Sequence, residues 1–321
     1  MTFNAILVAT DLSGPDRQCH TPAATLARAC GARLYALHVD TATRDALGIL
    51  DDPDAYLGMV DAVRRVRVEQ LMDDFEALGV EVEFHMEEGA RPERVIDAFV
   101  RAHGIDLVIM GQHSQPGPFA KLLGSTTRRC LRTLDVPVLI VPISDAAAEA
   151  VAPPRGGASR PGLLSASEAA PAASGRPIFL APTDLGDGSG AALRAAVELA
   201  ASFDAEVVAM HAVELPAFTP IQAGEGLAVR ATGAGDGLMS RARALLRGHL
   251  VALGLEGLRC ELVAGQPAAR ALIEGAVRLG ADMIFTSASG KGALGRLFLG
   301  SVSETLATRS PIPVLILPPG T

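Results

Sequence analysis

The chain has 321 residues, of which 49% are hydrophobic and 4% aromatic, with no Trp; that suffices for two domains whose cores are built from Ala, Val, Leu and Ile. Its net charge of −8 argues against a broad electrostatic grip on nucleic acid, and no apolar run reaches the ~18–20 residues of a membrane helix. Cys19, Cys30, Cys130 and Cys260 are scattered without a CxxC, and the opening "MTFNAILVATDLS" lacks the basic start and long apolar stretch of a signal peptide, so a soluble cytoplasmic protein with free thiols is expected.

In chain order, "AILVAT" (5–10) reads as a short apolar strand, "PAATLARAC" (22–30) as an Ala-rich helix and "ARLYALHV" (32–39) as a second strand. After a variable stretch, 41–62, come a helix in "VRRVRVEQLMDDFEALG", a strand in "VEVEFHME", a helix in "RPERVIDAFVRAHG" and a strand in "DLVIMG". The loop "GQHSQPGPFAKLLGST" leads to a fourth helix and "VPVLIVP" (136–142). Gly79 is placed to end its helix in a left-handed conformation, and Pro92 to open the next near its first turn.

The order then starts again. "PIFLAP" (177–182), "AALRAAVELAASF", "AEVVAMHA", the variable stretch 214–238, "LMSRARALLRGHLVALG", "LRCELVA", "QPAARALIEGAVRLG", "DMIFTS" and "IPVLILP" repeat it element by element. Asp11 matches Asp184 and His38 matches His211 at an offset of 173. Gly89 and Gly265, Asp106 and Asp282, Gly124 and Gly300, and Pro137 and Pro313 match at 176. This is a duplicated domain rather than a short-period solenoid. The expected organisation is a first domain at 1–144, an Ala/Pro/Gly/Ser-rich linker at 145–175 and a second domain at 176–321. Alternating strand and helix predicts parallel sheets with right-handed crossovers.

In such sheets ligands bind beyond the carboxyl ends of the strands. Three features of each copy fall there: Thr10-Asp11 or Thr183-Asp184, the end of the second strand at Val39 or Ala212, and the loop after the fourth strand. That loop carries Gly111, Ser114, Gly124, Ser125 and Thr126 in the first copy, and Ser287, Gly290, Gly300, Ser301 and Val302 in the second. Small residues let backbone N–H groups approach an anion, and a helix N-terminus presents free N–H groups and a positive dipole end. The plainer alternative is that Ser125 and Ser301 cap their helices and that Asp11 and Asp184 belong to turns. His38 and His211 read as satisfied strand-end side chains, and Arg128-Arg129 as a solvated helix face. Lys121 and Lys291 could reach phosphates, but they are not at equivalent positions. "GKGALG" (290–295) spells G-x-G-x-x-G but stands too late in its unit for a dinucleotide fingerprint, and no GxxxxGK[ST] occurs. "SGPD" (13–16) lacks the second Gly of the ATP-pyrophosphatase loop.

With "ILVATDLS", "FLAPTDLG", "LHV", G-x2-S-x9-G-S, S-x2-G-x9-G-S and "PVLIL" together, the sequence resembles a tandem universal stress protein. The resemblance spans both halves and omits the linker. It departs from the family's G-x2-G-x9-G-[ST] at Ser114 in one copy and at Ser287 in the other. It implies two Rossmann-like (adenine-nucleotide α-hydrolase-like) open parallel five-stranded sheets with helices on both faces. These would form an intramolecular pseudo-dimer through their last strands, short apolar edges of the kind that seek partners. It also implies a stress-response protein binding ATP, with Mg²⁺, or AMP or ADP. Asp11 and Asp184 would contact the ribose, the backbone of Val39 or Ala212 the adenine edge, and the Gly/Ser loops the phosphates. A homodimer of chains and a regulatory protein partner are compatible with it. The competing reading is a non-nucleotide interaction module of the same fold. No catalytic constellation repeats in both halves, so the expectation is at most slow ATP hydrolysis, with no catalytic or metal-ligating residue assigned.

Overall fold

A computed structural model describes residues 1–41, 53–112, 123–143, 175–186, 188–214, 228–288 and 299–319. In the first half β1 (Ala5–Thr10), α1 (His20–Cys30), β2 (Arg33–Asp40), α2 (Pro53–Ala77), β3 (Val82–Glu88), α3 (Pro92–His103), β4 (Leu107–Gly111), α4 (Ser125–Thr133) and β5 (Val138–Val141) follow one another. The second half repeats them as β6 (Ile178–Pro182), α5 (Ser189–Ala200), β7 (Glu206–Val213), α6 (Ala228–Ala252), β8 (Arg259–Ala264), α7 (Ala268–Leu279), β9 (Met283–Ser287), α8 (Ser301–Arg309) and β10 (Val314–Leu317). A 3₁₀ turn, Pro15–Cys19, precedes α1.

The expectation of two separate five-stranded sheets held as a pseudo-dimer is corrected: all ten strands form one continuous mixed sheet, ordered β3-β2-β1-β4-β5-β10-β9-β6-β7-β8. The junction is an antiparallel pair, with Val314 opposite Ile140, Leu315 opposite Leu139 and Ile316 opposite Val138. The physical reason lies in the two last strands. Each is four residues long, apolar and buried throughout. Neither could leave an unpaired edge in that setting, so each completes the other's hydrogen-bond ladder and the sheets merge. Within each half the pairs are parallel, as alternating strand and helix predicts.

Successive strand residues point to opposite faces. Ile6 and Val8 join one core with Leu26 of α1, Phe75 of α2, Leu193 of α5 and Leu246 of α6. Ala5 and Leu7 join the other with Phe99 of α3, Cys130 of α4, Leu272 of α7 and Leu306 of α8. Asp106 and Asp282 fix the opposite end of the sheet from the ligand loops: Asp106 accepts the N–H groups of Asn4 and Ala5, and Asp282 that of Ile178. Gly79 and Gly254 both end their helices at φ +70, where a side chain would be strained. Helices α2 and α6 start ten residues before their apolar period becomes legible, so Gly233, Gly235 and Gly237 lie inside α6 rather than in a loop. The interdomain stretch at 145–174 lies outside the described residues.

Candidate functional site

In each half the strand order reverses between the first and fourth strands, β1 and β4 or β6 and β9. The carboxyl ends of such a pair diverge into a crevice. Thr10 and Gly111 flank the first crevice, and Thr183 and Ser287 the second.

The loop after the first strand is built identically twice. The Thr10 hydroxyl accepts the Leu12 N–H at 2.9 Å, and the Thr183 hydroxyl that of Leu185 at 3.0 Å. Asp11 accepts the Ser13 N–H at 2.8 Å, and Asp184 that of Gly186 at 2.9 Å. These bonds hold Leu12 at φ +59 and Leu185 at φ +62, an unusual conformation for a side-chain-bearing residue that persists only where its surroundings impose it. Both Thr are buried and both Asp exposed. The strand-end histidines serve this frame: His38 Nδ1–H donates to the Thr10 carbonyl at 3.0 Å and His211 Nδ1–H to that of Thr183 at 2.8 Å. Val39 and Ala212 follow them, half-buried.

The fourth-helix N-termini are also matched. Gly124 and Gly300 occupy the N-cap positions, without a side-chain capping bond. Ser125 and Ser301 are therefore the first helical residues rather than caps, and both are exposed. Intrahelical bonding begins with Arg128 N–H to Gly124 O and Glu304 N–H to Gly300 O. The preceding amides, Ser125 to Thr127 and Ser301 to Ser303, belong to the turn that a helix leaves without internal acceptors. Thr127 Oγ1 donates to Gly111 O at 3.1 Å and Ser303 Oγ to Ser287 O at 3.0 Å, so each helix start is tied to the end of its fourth strand. Thr126 and Val302 lie half-buried between these points. Ser114 and Gly290 lie outside the described residues.

The floors of the two crevices differ. A Cβ on Gly111 would stand 3.2 Å from an Asp16 carboxylate oxygen and 3.2 Å from Ile143 Cγ1. Asp16 is buried and accepts the Asp11 N–H at 3.0 Å. Burial, then the neighbouring charge of Asp11, raises its pKa from 3.8 to about 6. Its counterpart, Ser189, bonds Thr183 Oγ1 at 2.7 Å and Gly186 O at 2.8 Å. In the second crevice Ser287 Oγ donates to Gly188 O at 2.9 Å, bridging β9 to the loop after β6.

Behind the first loop, Asp74 of α2 receives Arg17 and the Nδ1–H of buried His20, the latter at 2.9 Å. Burial acts to raise the Asp74 pKa, but Arg17 and His20 outweigh it and lower it. Burial lowers that of His20. At the equivalent place α6 carries His249, whose Nε2 lies 3.4 Å from Ser189 Oγ. Gln112, next to Gly111, spans the halves: its side-chain Nε2 donates to Ala307 O of α8 at 2.7 Å, and its backbone carbonyl accepts the Gly124 N–H at 2.9 Å.

Sequence reasoning did not single out Asp16, Asp74, His20, Gln112 or Thr127. The signal for the first four was available as a difference: they face Ser189, His249, Leu193 and Ala288 in the other copy. Thr127 was available as a likeness, because a hydroxyl recurs at Ser303. Among the described residues no helix is long and apolar enough to cross a membrane, and no group of three His, Cys, Asp or Glu side chains could hold a metal ion.

The model of the "Universal stress protein family" matches residues 2–142 and again 176–318. Universal stress protein A of Photorhabdus laumondii is 28% identical over 154 residues, which cover 45% of this chain and 99% of that protein. A universal stress protein structure from Archaeoglobus fulgidus superposes with a TM-score of 0.61 at 20% identity, covering 98% of this chain and 96% of its own. A universal stress protein solved in complex with cAMP is 21% identical, covers 45% of this chain and all of its own, and has a TM-score of 0.34. With two matches that together account for both halves of the sheet, the chain belongs to the universal stress protein family.

Proposed function

We propose that this chain binds ATP, or a related adenine nucleotide, as a regulatory ligand of a cytoplasmic stress response, in the crevices at the ends of β1 and β4 and of β6 and β9. The observation that carries the reading is the pair of helix starts at Gly124 and Gly300, where no side chain caps the amides. Such an N-terminus attracts an anion by about 0.3–1 kcal/mol through its dipole, and hydrogen bonds to the phosphates would supply the rest. Exposed Asp11 and Asp184 would hold the ribose, and the backbone of Val39 or Ala212 the adenine edge. Gly111, Ser114, Gly124, Ser125 and Thr126 would receive the phosphates in one half, and Ser287, Gly290, Gly300, Ser301 and Val302 in the other. Mg²⁺ would arrive with the phosphates. Thr10 and Thr183 keep the loop in shape from below.

Titration calorimetry with ATP and Mg²⁺ tests this. Binding that disappears when Gly124→Asp and Gly300→Asp are combined supports it; no heat at millimolar ATP removes it. A second reading, an interaction module of the same fold, is favoured by the Ser287 bridge and the Asp16 carboxylate, each of which works against an anion in its own crevice.

A further inference from the structure

The first crevice has an ionisable group built into its floor and the second does not. Asp16 is 7% exposed. One carboxylate oxygen accepts the Asp11 N–H; the other faces Cys19 Sγ at 3.7 Å and the empty side of Gly111. The groups around it come from three places: Thr10 and Asp11 from the end of β1, Cys19 from its own 3₁₀ turn, and Gly111 from β4. Of these only Asp11 carries a charge, and it repels. Of the nearby bases, Arg17 and His20 are bound to Asp74, and Arg67 of α2 reaches the same loop beside Gly14 and lines a cavity with Thr10 and Ser13. Ser189, at the matching place in the other half, is a hydrogen-bonded hydroxyl that does not titrate in this range.

We propose that the first crevice takes up a proton at Asp16 when a phosphorylated ligand binds there, whereas the second crevice binds without one. This rests on the nucleotide reading above and gives that site a regulation: acidification strengthens one half of the chain and leaves the other unchanged. A phosphate beside Gly111 and Asp11 adds negative charge next to a carboxyl that burial already keeps poorly solvated, and protonation is the available relief. The ligand-bound carboxyl therefore keeps its proton to higher pH than the ligand-free one, which titrates at about 6. Affinity is lowest in alkali, where both forms are ionised. It rises as pH falls through the bound-state titration and levels off below the free-state value.

The test uses the full chain with one half disabled, Gly300→Asp to leave the first crevice and Gly124→Asp to leave the second. MgATP affinity is measured by calorimetry at pH 8, 7 and 6, and proton uptake from two buffers of different ionisation enthalpy. The nucleotide's own titration is common to both halves and drops out of their difference. Between pH 8 and 6 the first crevice should tighten about fivefold more than the second, the size expected when a carboxyl that titrates at about 6 shifts up by about one pH unit on binding. Asp16→Asn, which keeps an acceptor for the Asp11 N–H, and Asp16→Ser, the residue the second half carries, should each remove the extra slope and the proton uptake. Measurable binding with equal slopes in the two halves, or a slope that survives Asp16→Asn, overturns the inference and leaves the nucleotide reading standing. No ATP binding by any form overturns both.

Discussion

The two halves share their backbone devices and differ in the side chains placed beneath them. Left-handed Leu12 and Leu185, the His38 and His211 bonds, the uncapped Gly124 and Gly300 and the ties from Thr127 and Ser303 recur with nearly the same geometry. At four neighbouring positions the copies part: Asp16 against Ser189, Asp74 against His249, Gly111 against Ser287, and Gln112 against Ala288. The lesson is that the frame of a crevice and its electrostatics are separable. One folding unit offers two crevices with the same backbone frame and different side chains on their floors, and function has to be argued from the side chains.

The most forceful way to break that contrast is to exchange the buried acid. The folded-state pKa of Asp16 is raised from 3.8 to about 6. At any pH above about 6 the native chain therefore holds a charge where the unfolded chain would hold it more easily, and the penalty fades as pH falls toward 3.8. Asp16→Asn should stabilise the protein by about 3 kcal/mol at pH 7.5 and by only about 0.5 kcal/mol at pH 4. Urea midpoints across that range measure it. Ser189→Asp should impose a comparable loss on the second half, with the same pH dependence.

Next in size is the network behind the loops. Asp74→Ala strips the acceptor from His20, a buried ring, and from Arg17. An unsatisfied buried donor costs roughly 1–3 kcal/mol, and we expect a loss of about 2 kcal/mol in urea titrations. His249→Ala, at the matching place, removes only a 3.4 Å contact with Ser189. It should cost less than about 0.5 kcal/mol, within the range of substitutions away from such networks. Equal losses would mean that the halves are not differentiated here.

Much of this frame was legible in the sequence because it depends on local order. The apolar runs place every strand to within one or two residues, and a Gly after Leu78 and Leu253 marks the left-handed ends of α2 and α6. The same logic failed where local signals were weak. "PDAYLGMVDA" and "AVRATGAGDG" open α2 and α6. Each Gly there costs about 1 kcal/mol relative to Ala, so propensity alone reads loop. The Ser-cap alternative placed the cap one residue late, since Gly124 and Gly300 hold that position. The pairing of β5 with β10 was expected from the resemblance and from their short apolar edges, and it occurs; what local order does not reveal is that this pair joins both halves into one ten-stranded sheet instead of holding two separate ones together. Asp16 and Gln112 are not legible from the repeat because the copies do not share them: Ser189 and Ala288 stand at the matching places.

A smaller effect should come from the link across the seam. Gln112 donates to Ala307 O near the end of α8, where a helix has carbonyls without internal donors. Gln112→Ala should cost about 1 kcal/mol. Its more telling readout is position: hydrogen exchange should quicken in the last turn of α8, in the second half, although the substitution lies in the first. Protection that changes only around Gly124 would show that the bond carries no influence across the junction.

Ser287→Gly should disturb stability least and sharpen the comparison most directly. The hydroxyl-to-Gly188 bond is exposed, so its net worth is at the low end of the usual range, about 0.5 kcal/mol. The parallel pairing of residue 287 with Leu317 uses the backbone and survives the change. What disappears is the bridge from β9 to the loop after β6, which spans the crevice where a phosphate would have to lie. On the proposed nucleotide reading, a Gly124→Asp background would confine binding to the second half, and there Ser287→Gly should raise ATP affinity while leaving the urea midpoint almost unmoved. The reciprocal Gly111→Ser puts a Cβ 3.2 Å from both Asp16 and Ile143 and should lower affinity in the first half. If Ser287→Gly leaves affinity unchanged and Gly111→Ser is tolerated, the side chain at this position does not gate the crevice. The difference between the halves then reduces to the charge on Asp16.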